Sequence, residues 1–399
     1  MGGETFGERL RRLRGDMSLR EAARRANVGK SYIADLENGR RRPSRTIAAA
    51  LDKALRAGGE LVAVMPTSPA LLRPDSGRAE EINDVLSRMR RRNRSVDPVI
   101  IDHLRDELDD VMLRYEQLDH SCLVPSLLRQ RLWTDTLIDE CSNPRGRERL
   151  FGIASGTSGM LGYLAVGRGQ FPLARAYCAE AFQLGDFAQD ANLQAWARGL
   201  QSFCEYYARN YSEALRLAVD GLGYASAGPQ SVRLTINCVA RALGKLGDVE
   251  GVHRAVDEAY ELMSHNAAPM GLPSSISFDC YGLTQVASNA ATAYVSLGMP
   301  QKVQQYVRLA LPTISESNSP WSRSLVMIDH AVSLVSSKEA DPGHISDLAL
   351  DALNISAGRP IVSIQQRAME LMCKATQRWG DSSRFSDIRH AVTSREVQR

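Results

Sequence analysis

Apolar residues recur at three- and four-residue spacing from the start of the chain. Phe6, Leu10 and Leu13, with arginines between them, predict an amphipathic first helix that Gly15-Asp16 ends. Ser18 with Glu21 three positions on is a capping-box pattern, opening a second helix through Ala22, Ala23 and Ala26. Asn27 stands where a tight turn needs a left-handed residue, a conformation that asparagine tolerates. A third short helix is predicted over 31–37 with Ile33 and Leu36 inward, stopped by Asn38-Gly39. After Arg40, Arg41, Arg42 and Pro43, Ser44 is predicted to cap a fourth helix that buries Ile47, Leu51 and Leu55.

The pattern then breaks. Pro66-Thr67-Ser68-Pro69 and Arg73-Pro74-Asp75-Ser76-Gly77 bound a proline-rich linker over 66–78. The densely basic stretch 88–94 reads as a source of further non-specific phosphate contacts, as a solvated helix face, or as a strap to an acidic partner surface. From about residue 98 onward every legible segment has helical period, and no alternating β-branched run suggests a sheet. Aligned on Phe171, Tyr211, Val249 and Pro300, four loops share small residues nine positions before the anchor: Gly162, Ser202, Ala240 and Ala291. Ten positions after it stand Ala181, Gly221, Ala259 and Ala310, and three after it Ala174, Ala214, Val252 and Val303. Small residues at such spacing belong where two antiparallel helices cross closely, with the anchor packed at the turn. Weaker units are centred on Pro342, with Ser333 and Ala352 at the small sites, and near Gly380-Asp381. The longer spacings place inserted residues at repeat junctions, including 265–273.

Composition sharpens this picture in one respect. Of 399 residues, 44% are hydrophobic and 24% charged, as in ordinary globular proteins, and the length calls for more than one domain. Residues 1–60 carry 14 Lys/Arg and 8 Asp/Glu, a net of +6, which leaves −3 for the other 339. A basic head on a mildly acidic body is the asymmetry expected if only the head meets phosphate. Seven scattered cysteines without a Cys/His cluster point to reduced thiols, a cytoplasmic setting and no metal site. No signal-like apolar run follows Met1, so no membrane association is expected. No phosphate loop, HExxH, GxSxG elbow or kinase signature is present, so neither a cofactor nor catalysis is expected. Gly156-Thr157-Ser158-Gly159 falls inside a predicted repeat helix, where close packing explains it.

Two short helices joined by a tight turn form the DNA-binding supersecondary unit, whose second helix enters the major groove. On Ser18-Leu19-Arg20-Glu21-Ala22-Ala23, Ala26-Asn27-Val28, Ser31-Tyr32-Ile33, Leu36-Glu37-Asn38-Gly39 and Arg40-Arg41-Arg42-Pro43-Ser44, residues 5–60 resemble the Cro/repressor (XRE) helix-turn-helix family. The resemblance implies that Lys30, Ser31, Ala34 and Asp35 meet base edges: Lys30 donating to guanine, Asp35 accepting from cytosine. It places Tyr32 at a phosphate or thymine methyl, adds Asn38 at the helix end, and gives Arg40, Arg41 and Arg42 to backbone phosphates. It pairs Glu37 with Arg12. Leu19 departs from the glutamine usual there, which removes one phosphate contact.

The repeat pattern resembles tetratricopeptide repeats, so the expected fold is all-α: a helix-turn-helix domain over 1–65, the 66–78 linker, a helical connector or dimerisation region over 79–145, and an α-solenoid of tetratricopeptide-like repeats over 146–399. On that register Phe203, Tyr206 and Tyr207, then Asn237, Arg241 and Lys245, then Ser288, Asn289 and Thr292 face a concave groove. Asn237 and Asn289 suit capture of an extended peptide backbone, and Arg241 with Lys245 a carboxylate. The alternative for each is an ordinary solvated or inter-helix polar residue, and for Tyr206 and Tyr207 repeat packing. A reader fused to such repeats is similar to the RRNPP-type regulators, which implies a homodimer on a palindromic double-stranded operator, with a signalling peptide or protein segment in the groove. The competing readings are a ligand-independent scaffold that docks a protein, and a constitutive repressor.

Overall fold

The three- to four-residue period is realised as helix throughout, and no strand occurs among the described residues. The computed structural model describes residues 4–26, 28–41, 43, 45–64, 82, 85, 96–118, 120–226, 228–265, 271–357 and 361–396. The predicted roles of Asn27, Arg42, Ser44, the linker segments 66–69 and 73–77, and the basic stretch 88–94 lie outside them. The chain divides into two compact units, residues 1–77 and 78–399.

The first unit holds α1 (Phe6–Arg14), α2 (Leu19–Ala26), α3 (Lys30–Glu37), α4 (Arg45–Leu55) and α5 (Glu60–Ala63). Its core is Leu10, Ala22, Ala23, Ala26, Ile33, Leu36, Leu51, Ala57 and Leu61, with Phe6, Leu13, Ile47 and Leu55 half-buried around it. Thr5 and Glu8 form a reciprocal capping box at the start of α1, which the periodicity did not disclose. At α2 only half of the expected box exists. Ser18 Oγ accepts from the Glu21 amide at 3.2 Å, but the Glu21 carboxylate turns to Arg24 and Arg25. Asp52 was not singled out from sequence. Its carboxylate accepts from the amides of Gly59 (2.6 Å) and Leu61 (2.8 Å), and so caps α5.

In the second unit α6 (Pro98–Arg114) and α7 (His120–Glu140) lead into α8 (Pro144–Gly167). Ile100, Ile101, Leu104, Leu108 and Met112 of α6 enter the same core as α8, so these helices are part of one packed body. Helix pairs follow: α8 with α9 (Phe171–Phe187), then α10 (Ala191–Tyr207) with α11 (Tyr211–Leu222). The third pair is α12 (Pro229–Arg233), a π-helical stretch over Leu234–Ala240 and α13 (Arg241–Leu246), running as one rod against α14 (Val249–Ser264). After an insertion come α15 (Leu283–Ser296) with α16 (Pro300–Glu316), and α17 (Pro320–Val335) with α18 (Pro342–Ile355). The last pair is α19 (Val362–Trp379) with α20 (Ser386–Glu396).

Phe171, Tyr211, Val249, Pro300 and Pro342 each open the second helix of a pair, and the twelve small or short positions aligned on the first four are all buried. The reason is steric. A Cβ on Gly162 would lie 2.6 Å from Cys178 Sγ, and one on Gly221 would lie 2.8 Å from Arg198 Cβ. Gly156 and Gly159 obey the same rule: a Cβ at Gly159 would sit 2.1 Å from the Trp196 ring. Among the described residues α8 is the one helix long and apolar enough to cross a membrane, and 83% of its apolar window is buried inside the protein. Core packing accounts for its hydrophobicity.

The inserted stretch falls between the helix pair that ends with α14 and the one that begins with α15, and part of its described residues 271–282 is interior. Ile276, Phe278 and Tyr281 are buried. Trp196 Nε1 donates to Ile276 O at 3.0 Å, and Gln230 Nε2 to Phe278 O at 2.8 Å. Ser274 Oγ donates to Met112 O at 2.6 Å. An open groove was expected; the inserted chain closes over part of it.

Candidate nucleic-acid interface and interior pocket

In α3 the side chains sort by helix geometry. Ile33, Leu36 and Glu37 are buried against the core, which turns Ser31, Ala34, Asp35 and Asn38 away from it, while Lys30 flanks the buried face and is exposed at the start of the helix. Lys30, Ser31 and Asn38 are exposed, and Ala34 and Asp35 half-buried. The helix is held at its C-terminal end by α1. A Cβ on Gly7 would come within 2.5 Å of Leu36 O, so only glycine lets the two backbones meet there. Glu37 locks the same junction. Its Oε1 accepts from Arg14 Nε at 2.6 Å, and its Oε2 from Arg14 Nη2 at 3.0 Å and Arg11 Nε at 3.4 Å.

This corrects the expected partner of Glu37. Arg12 lies on another face of α1 and pairs with Glu4 and Glu60, whereas Arg11 and Arg14 are the ones turned toward α3. The family position was off by one and by two residues along a helix. Arg14 also donates to Met17 O at 2.6 Å, tying the α1–α2 turn to the same carboxylate.

The residues expected to touch DNA are drawn together, with two changes. Arg41 Nε stands 3.6 Å from Asp35 Oδ2, and its guanidinium lies 5.4 Å from the centroid of the half-buried Tyr32 ring. Asp35, Tyr32 and Arg41 therefore form one cluster, so Arg41 is partly committed to Asp35. Arg11 Nη2 donates to Asn38 Oδ1 at 2.9 Å, which leaves the Asn38 amide as its outward donor. Arg40 is exposed. Leu19, where the family pattern has a polar residue, packs half-buried on the core.

In the second unit the predicted groove residues split between two sites. Phe203, Asn237, Arg241 and Asn289, with Tyr207 and Ser288, line a cavity of about 80 Å³. Tyr206, Lys245 and Thr292 fall in a separate, smaller cleft beside it. Thr292 is buried, donates to Asp329 Oδ2 at 2.7 Å and accepts from Arg367 Nη2 at 2.9 Å, so it serves a helix-to-helix link. Lys245 pairs with Glu370 of α19, which departs from the expectation that it joins Arg241 at a carboxylate. Tyr206 is buried, its ring 4.4 Å from the Arg241 guanidinium carbon.

Sequence reasoning missed the other half of the pocket. Glu116 beyond α6, Leu272, Ser275 and Tyr281 of the insertion, Trp321 of α17 and Arg367 of α19 all contribute. No local pattern relates them. Tyr163 and Phe203 stack with centroids 5.3 Å apart, forming an aromatic wall. Arg241 is buried and donates to Tyr207 Oη at 2.8 Å and to Asn237 Oδ1. Arg367 donates to Asp329 Oδ2 at 2.6 Å. Burial pushes the Tyr207 phenol up, yet the charges of Arg241 and Arg367 outweigh it and hold the group below the ordinary tyrosine value. The Glu116 carboxyl is pushed above the carboxylate range by burial, against hydrogen bonds from Ser319 Oγ (2.9 Å), the Trp321 amide (3.3 Å) and Tyr115 Oη (3.1 Å).

No curated protein matches the chain. A family described as "Helix-turn-helix domain" matches residues 5–65. The chain thus carries an N-terminal helix-turn-helix domain, a fold that points to a DNA-binding regulator, ahead of a many-helix C-terminal region.

Proposed function

We propose that this protein is a sequence-specific transcriptional regulator that reads an operator in duplex DNA through α3 and senses a ligand through its helical body. The observation that carries the reading is the outward row Lys30, Ser31, Ala34, Asp35 and Asn38 on a helix anchored from behind by Glu37 and Gly7. A rigid short helix with a donor, a hydroxyl and an acceptor on its free side is suited to base edges in the major groove. Arg40, Arg41 and Arg42 follow in the chain as phosphate contacts, and the helix-turn-helix match favours a regulator over an enzyme.

In this reading the domain belongs to the Cro/repressor (XRE) group and the body is built of tetratricopeptide-like repeats. The protein acts in the cytoplasm as a homodimer on a palindromic site, and ligand in the body resets the spacing of its two readers. The paired helices with buried small residues at their crossings support the repeat assignment. The pocket that gathers Asn237, Arg241 and Asn289 favours a sensor over a passive scaffold.

The test is selection of the full-length protein on a random duplex library. Enrichment of one two-fold-symmetric sequence is expected, lost on Lys30→Ala with Ser31→Ala. Retention of all duplexes alike, with salt-dependent affinity only, overturns the reading.

A further inference from the structure

The body buries more positive charge than it neutralises. Arg241 is 3% exposed, and the groups it touches are neutral: Tyr207, Asn237 and the faces of Tyr206 and Tyr207. Its Nε has no hydrogen-bond partner. Arg233, also 3% exposed, leaves Nε and Nη1 unpartnered, and its charge reaches the hydroxyls of Tyr163 and Tyr281, both in the pocket lining. Arg367 is matched by Asp329. Among the described residues of the lining the carboxylate is Glu116, and its oxygens accept from Tyr115, Ser319 and the Trp321 amide. Among these described groups positive charge therefore exceeds negative by at least one. An unmatched buried ion is strongly unfavourable, and buried charges are ordinarily paired. The depressed Tyr207 phenol reports the same positive field.

We infer that this pocket binds a small organic carboxylate with an aromatic or branched apolar body, its carboxylate held by Arg241 and Asn237 and its body laid on Phe203, Tyr163 and Trp321. Asn237 gives its Oδ1 to Arg241, which leaves its amide as a second donor beside the guanidinium. Asn289 spends its amide on Tyr281 Oη and Gln285 O and offers Oδ1 to a polar substituent. The cavity is small, about 80 Å³, which limits an occupant to a compact anion, and the insertion residues Leu272, Ser275 and Tyr281 line one side of it. Enclosure of this kind suits a small molecule or the last residue of a peptide, not a long extended segment. The inference rests on the body being the sensor, and names the chemistry it senses.

The test uses full-length protein without DNA, so its outcome is independent of operator recognition. Calorimetry with sodium benzoate, with benzamide, and with sodium chloride at matched ionic strength reads the carboxylate directly. Benzoate is expected to bind one per chain, with benzamide at least about tenfold weaker. Arg241→Gln is expected to lose a similar factor. Asn237→Asp supplies an internal carboxylate to Arg241, so it should weaken benzoate by about tenfold or more while raising the melting temperature of the unliganded protein. That pair of effects distinguishes a binding role from a structural one even if Arg241→Gln does not fold. Equal binding of benzoate and benzamide, reproduction by chloride, or undiminished binding to Asn237→Asp overturns the inference. A tripeptide ending in phenylalanine that competes as the free acid but not as the amide keeps it, and identifies the carboxylate as a peptide end.

Discussion

The two units carry their charged groups in opposite ways. In the head, Lys30, Arg40 and Arg41 are exposed, and the buried charge of Glu37 is met twice over by Arg14 and Arg11. In the body, Arg241 and Arg233 are interior and lack a matching carboxylate among their contacts. The head spends its stability on presenting cations to solvent, where phosphate finds them at little desolvation cost. The body holds cations away from water, which is unfavourable unless something anionic arrives. On the function proposed above, one unit meets a large polyanion on its surface and the other a small anion inside.

The sharpest way to break this contrast is steric, because each unit relies on a glycine where backbones or rings meet. Gly159→Ala places a methyl group against the Trp196 ring and should cost the body about 3 kcal/mol in denaturant unfolding, with α3 chemistry untouched. Glu37→Gln leaves the mostly buried Arg14 uncompensated and should cost the head about 2–3 kcal/mol and its operator affinity, while the body melts as before. If both variants unfold together in one transition, the units are less independent than their separate cores suggest.

Smaller effects sharpen the comparison. Lys30→Ala with Ser31→Ala should remove about 1–3 kcal/mol of discrimination for each base lost, seen as convergence of specific and scrambled duplex affinities. Arg40→Ala with Arg41→Ala should weaken all duplexes alike and reduce the salt slope by about 2, since each phosphate contact contributes about 0.9. A slope reduced by only one would mean that the Asp35–Arg41 pair persists on DNA. The mildest test is a pH trend in the body. Burial raises the Glu116 carboxyl above its ordinary 4.5, so the folded protein holds that proton more tightly than the unfolded chain. Stability from this group is complete below 4.5 and is lost as pH climbs through the raised value. Glu116→Gln has no such loss. Its melting temperature should gain on the wild type across that window, and a constant difference would show that Glu116 does not titrate there.

Local pattern alone was enough for the first four helices of the head and the inward residues Leu10, Ile33, Leu36 and Leu51, because helix period assigns a face to every position; α5 went unseen, and the exposed row on α3 came from the family resemblance. It was also enough for the helix starts at Phe171, Tyr211, Val249 and Pro300 and for their buried small neighbours, since close helix crossings exclude side chains at fixed offsets. Three things belonged to the tertiary structure. Which arginine meets Glu37 depends on the angle between α1 and α3, so Arg12 and Arg14, half a turn apart, exchange roles. The π-helical stretch before Arg241 alters the phase of that rod, and no hydrophobic repeat announces it. The pocket joins Glu116, Asn237, Tyr281, Trp321 and Arg367, residues from five separate segments of the body. Periodicity says which way a side chain leaves its own helix; only packing between distant helices says what it meets.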